Sequence, residues 1–128
     1  MIGAYIHRAT LARGSVGSGD YGHRSTDWTT PAETVTVSCR YTTLTVAEWE
    51  RLGFAGEVIY DVMLVVPHPE MPAALQAAGA ETDWRVTAVT TADGASLVSA
   101  AVDINEVSPI LGPGGRPVAW RILGRFVA

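Results

Sequence analysis

The chain has 128 residues, 48% of them apolar and 17% charged, with a formal net charge of −4. That balance fits one domain with a single core and excludes a chain disordered throughout. It also excludes a spanning helix, since no apolar run approaches the roughly 20 residues needed to cross a bilayer.

Two strand-like segments, 5–13 and 33–41, flank a long polar connection at 14–32. In the second, Val35, Val37, Cys39 and Tyr41 share one face while Thr34, Thr36, Ser38 and Arg40 share the other, the period of a half-buried strand. A connection this long in a compact domain is usually functional or disordered. Next comes a predicted short helix at 45–52, with Thr45 as N-cap and Glu48 closing a capping box. Val46, Trp49 and Leu52 form its apolar stripe, and Gly53 suits its end. Residues 57–66 are apolar on nearly both faces and predict a central strand that Pro67 terminates. An Ala-rich stretch at 72–78, opened by Pro72 and closed by Gly79, predicts a second short helix. A strand at 84–91, a turn at Asp93-Gly94, and a partner strand at 97–104 with Val98, Ala100, Val102 and Ile104 inward follow. The glycine-rich loop around 112–115 leads to a last strand at 118–127. The sum is an all-β domain, a small antiparallel β-barrel or sandwich with one or two short helices and long loops.

Chemical motifs are sparse. Gly17-Ser18-Gly19-Asp20-Tyr21-Gly22 matches the dinucleotide fingerprint letter for letter, but the residues after it have no helical period and run into Pro31. His7, His23 and His68 lack partners at metal-site spacing, apart from the weak pair His68 and Glu70. No nucleophile elbow is present, so neither catalysis nor a cofactor nor a metal is expected. Cys39 is the only cysteine, which excludes an internal disulfide and fits a reducing cytoplasm. Its phase with Val37 marks it as a buried hydrophobe. All nine basic residues are arginines interspersed with acids, which disfavours a groove that grips DNA but not a channel that DNA slides through. The start, Met1-Ile2-Gly3-Ala4-Tyr5, has no signal-peptide pattern. Trp84 and Trp120 read as core; Trp28 and Trp49 either plug the barrel end or anchor a partner.

The order His7-Arg8-x-Thr10-Leu11, Asp20-Tyr21-Gly22, Trp28, Arg40, Leu44-Thr45-x-x-Glu48 and the strand ending at Pro67 resembles the head-closure (stopper) proteins of tailed bacteriophages. The resemblance implies a virion protein of the neck, assembled in the host cytoplasm as a dodecameric ring below the portal and its adaptor. Such a ring closes the channel after packaging, lets DNA pass without reading its sequence, and receives the tail terminator or tail tube. It also implies a gate at 42–56, with Leu44, Thr45, Glu48, Trp49, Leu52, Gly53, Phe54 and Gly56 as candidates. A two-turn helix is marginal alone, and Gly53 and Gly56 give freedom at its end. Asp20, Tyr21, Gly22 and Trp28 in the 14–31 loop are candidates for an assembly surface. The stretch after Asn105 and the 67–83 insertion exceed what the smallest stoppers need, which keeps a tail terminator or neck adaptor as alternatives. From a different class, the alternative is a small β-barrel that binds a ligand.

Overall fold

The structure is a computed structural model and describes residues 5–18, 24–28, 31–43, 60–77, 83–98 and 100–127. Its centre is a closed barrel of six antiparallel strands. These are β1 (His7–Arg13), β4 (Glu33–Thr43), β5 (Val62–Pro67), β6 (Trp84–Thr91), β7 (Val102–Leu111) and β8 (Pro117–Phe126). Around the barrel the order is β1-β4-β5-β8-β7-β6, closing on β1. A separate two-stranded sheet, β2 (Ser15–Ser18) with β3 (Arg24–Asp27), stands between β1 and β4 in the chain. The 14–32 stretch is therefore a β-hairpin in part, not a plain loop.

Alternation fills the interior. Ala9 and Leu11, Val37 and Cys39, Val62, Leu64 and Val66, Trp84, Val86 and Val89, Val102 and Ile104, and Trp120 and Ile122 pack as one buried cluster. Each large aliphatic side chain there contributes about 1.5–3 kcal/mol of burial. Two bulges adjust the period. Between Thr10 and Leu11 the register of β1 on β6 slips, leaving Thr87 without an opposite residue and turning both Val86 and Val89 inward. The Thr87 hydroxyl donates to the Thr10 carbonyl at 3.3 Å. A second slip lies on β7 between Ile104 and Glu106, so Ile104 and Val107 both reach the core.

Several expectations need correction. β5 begins at Val62, includes Pro67, and is buried on one face only. The predicted 72–78 helix is a single 3-10 turn over Ala73–Gln76. So short a segment cannot repay helix nucleation, and it serves to bring buried Leu75 onto the core. The partner strand predicted at 97–104 first touches β6 through a bridge between Thr90 and Ser96 and through Leu97 N–H to Val89 O at 2.8 Å. It then leaves and enters the ladder only at Val102. Of the residues expected inward there, Val102 and Ile104 are buried, Val98 is half-buried and packs against the core, and Ala100 is half-buried. The turn itself stands as predicted, with Gly94 at φ +91°. β7 runs on through Pro109 to Leu111, beyond the predicted strand end at 104. Proline is tolerated because β6 pairs with β7 only at Arg85 and Val86, leaving 105–111 as an edge among the described residues. The predicted helix at 45–52 lies outside the described residues.

Candidate functional site

The barrel carries two excursions, and topology places their roots at opposite ends. The β2–β3 hairpin leaves where β1 finishes and β4 begins. The connection after β4 leaves where β4 finishes and β5 begins. Of the residues expected to gate a channel, Leu44, Thr45, Glu48, Trp49, Leu52, Gly53, Phe54 and Gly56 lie outside the described residues. Thr42 and Thr43, the first residues of the expected 42–56 segment, are paired in β4 with Met63 and Val62. Asp20, Tyr21 and Gly22 also lie outside the described residues.

The foot of the hairpin is closely held. Gly14 is buried and its N–H donates to Asp83 O at 3.0 Å, while Ala32 N–H donates to Arg13 O at 2.8 Å. Arg13 and Glu33 face each other at 3.6 Å, an exposed pair. Trp28, at the end of β3, is half-buried under the Arg85 guanidinium, which sits 4.5 Å from the ring centroid. Arg85 in turn donates from Nε to Asp103 Oδ1 at 2.7 Å. Trp28 thus clamps the hairpin to the outer wall of the barrel through a cation–π contact. Of the two readings open in the sequence, the barrel plug is not what is seen, since the half-exposed tryptophan lies on the outer wall and not in the interior cluster.

The other foot reaches the same wall. Tyr60 points its hydroxyl at Glu106 Oε2 at 3.5 Å. The next residue, Asp61, donates its N–H to Gly124 O at 2.9 Å and accepts from Phe126 N–H at 3.0 Å. Burial pushes the Tyr60 phenol up, Glu106 adds to that through its charge and hydrogen bond, and Arg125 opposes it.

The two described histidines serve structure. His7 Nδ1 accepts from Tyr41 N–H at 3.0 Å, with the rings edge to face. His68 Nδ1 accepts from the Trp120 indole N–H at 2.9 Å, and Glu70 Oε1 accepts from Ser38 N–H at 2.9 Å. The pair that looked weakly like metal ligands instead fastens a 3-10 turn, His68–Glu70, over the barrel. Replacing His68 by alanine leaves the Trp120 N–H, in a residue only 8% exposed, without that acceptor. The expected loss is about 1–2 kcal/mol, measured as a lower urea midpoint with unchanged slope.

Exposed large apolar residues stand toward both ends of the barrel, but only those on the β7–β8 hairpin are neighbours, since β1 and β8 lie on opposite sides of the barrel. Tyr5, Ile6 and Phe126 lie at the start of β1 and the end of β8; Ile110, Leu111 and Val118 lie on the β7–β8 hairpin at the other end. The hairpin tip turns through Gly114 and Gly115, both at positive φ, and is closed by Gly112 N–H donating to Arg116 O at 2.8 Å. No sequence reading singled out this tip, although three prolines around aliphatic residues were visible there.

These features define a small closed antiparallel barrel with apolar side chains packed inside, a β2–β3 hairpin held against its outer wall, and residues 60–61 bonded to the same wall. Comparison with protein-family models, curated proteins and solved structures finds no match to this chain.

Proposed function

We propose that the chain is a structural subunit of the phage head–tail junction, a ring component that closes the portal channel after packaging and receives the tail. The observation that carries this reading is the presence of exposed apolar residues at both ends of the barrel. Ile110, Leu111 and Val118 stand together on the β7–β8 hairpin; Tyr5 and Ile6 before β1 and Phe126 on β8 lie on opposite sides, toward the other end. A body that joins two different partners needs two unlike surfaces, and a compact apolar patch at one end with separate exposed apolar residues toward the other fits that need. The placement of excursions between the first and second, and the second and third, barrel strands is also the one the stopper resemblance calls for. The stretch after Asn105 is no appendage, because it supplies most of β7 and all of β8, two of the six barrel strands. A ligand-binding module, by contrast, would have to hold its ligand outside the barrel, because side chains fill the interior.

Electron microscopy of lysates from phage lacking the gene tests the proposal, together with the DNA content of the heads. Detached heads that have lost their DNA, beside tails of normal length, are the expected result. Full heads beside overlong or ragged tails would make the protein a tail terminator. Intact infectious particles would overturn a neck role altogether.

A further inference from the structure

Asp103 and Glu106 are three residues apart, a spacing that normally sends side chains to opposite faces of a strand. The slip of register between Ile104 and Glu106 cancels that parity. Asp103 lies opposite Arg125 and Glu106 opposite Leu123, two β8 positions on the face turned away from the inward Ile122. Both carboxylates therefore stand on the outer wall. Strand tilt does the rest. The stagger of the ladder pairs β7 at Asp103 with Arg85 near the start of β6 and with Arg125 near the end of β8. Roots that begin at opposite ends of the barrel so converge on one short stretch of β7. Asp103 holds Arg85, which covers Trp28; Glu106 accepts from Tyr60.

We propose that Asp103 and Glu106, bridged by Arg125, form a shared latch for the feet of the two excursions, so that loosening one foot loosens the other. Arg125 is the shared part. It faces Asp103 across the ladder, and together with Glu106 it sets the charge felt by Tyr60. Remove the charge of Asp103, and Arg125 turns its attraction to Glu106, whose oxygens then accept less strongly from the Tyr60 hydroxyl. Remove the charge of Glu106, and Arg125 competes with Arg85 for Asp103, slackening the grip over Trp28. Such coupling must be reciprocal. The latch belongs to the barrel whether or not the chain joins a head to a tail, and its failure would leave that role untouched.

The test uses the whole chain with carbon-13 in its tyrosine rings, so that Tyr60 titrates separately from the others. D103N, nearly isosteric with the wild type, is expected to lower the Tyr60 midpoint by roughly half a pH unit. E106Q is expected to speed amide exchange across 15–18 and 24–27 roughly fivefold. In an R125Q background neither effect should survive. A Tyr60 midpoint unmoved by D103N, or hairpin exchange unmoved by E106Q, would overturn the latch. Should D103N not fold, R125Q by itself must raise the Tyr60 midpoint, and an unchanged midpoint there would sink the idea equally.

Discussion

Gly124→Ala is expected to destabilise the barrel by about 3 kcal/mol, lowering its thermal midpoint by roughly 10 °C. Gly124 lies where β8 is paired on both sides, with Val62 of β5 and Ile104 of β7. A Cβ built there would come within 2.4 Å of the Asp103 carbonyl oxygen and 2.6 Å of Val102 Cγ1. The first of these is backbone, held in the ladder, and the second belongs to a fully buried valine. Relief therefore requires β7 to move away from β8, at the stretch where β7 also has its only paired residues with β6. That is the seam through which the barrel closes. Gly112→Ala provides the contrast. Its Cβ would meet Val118 Cγ1 at 2.5 Å, but Val118 is about half exposed and its side chain can rotate into solvent. A loss below about 1 kcal/mol is expected there. Urea unfolding followed by tryptophan fluorescence measures both, and a Gly124→Ala midpoint as close to wild type as that of Gly112→Ala would refute the seam argument.

How far the sequence could be read follows from where its period is regular. β1, β4, β6 and β8 lie close to their expected positions, because residues such as Val35, Val37 and Cys39 keep strict alternation and turn residues bound them. β7 was hidden by its bulge. Ile104 and Val107 both face inward, so no single period-2 pattern runs through them, and Pro109 interrupts the pattern further. Only the barrel's edge there makes proline harmless. The 72–78 segment misled for a different reason. Its alanines favour a helix, but buried Leu75 and Met71 demand a turn tight enough to bring both onto the core. The outer-wall network was not legible. Arg85, Asp103, Arg125 and Glu106 are ordinary alternating surface residues in sequence, and only the stagger between β6, β7 and β8 makes them neighbours. Trp28 shares that fate, since nothing local indicates an arginine 57 positions further along the chain.

The barrel is expected to lose stability steeply in alkali, and Cys39 is the main reason. Its thiol is pushed up to about 12 from 9.0, chiefly by burial and secondly by the negative charge of Glu70. Glu70 is placed there by its bond to the N–H of Ser38, the residue before the cysteine. The unfolded thiol ionises from about pH 9, whereas the folded one holds its proton until about pH 12. Between those values the unfolded state binds fewer protons, so stability is complete below pH 9 and falls by about 1.4 kcal/mol per pH unit above it. Two units remove about 3 kcal/mol, a large share of the lower end of the usual total of about 5–15 kcal/mol. Tyr41 and Tyr60, both raised by burial, add to the fall with the same sign above pH 10. Cys39→Ala separates the contributions. It removes the thiol and leaves a small cavity, which lowers stability by a similar amount at every pH, so only the slope carries information. Urea unfolding at pH 8, 9.5 and 10.5 should give a distinctly flatter curve for the variant, while parallel curves would show that the thiol is not what alkali titrates. The same burial makes the native thiol inert to a disulfide reagent at pH 8, so that its reaction rate should track global unfolding. A thiol reacting faster than that would mean that the β4 wall beside Glu70 opens locally, without the barrel coming apart.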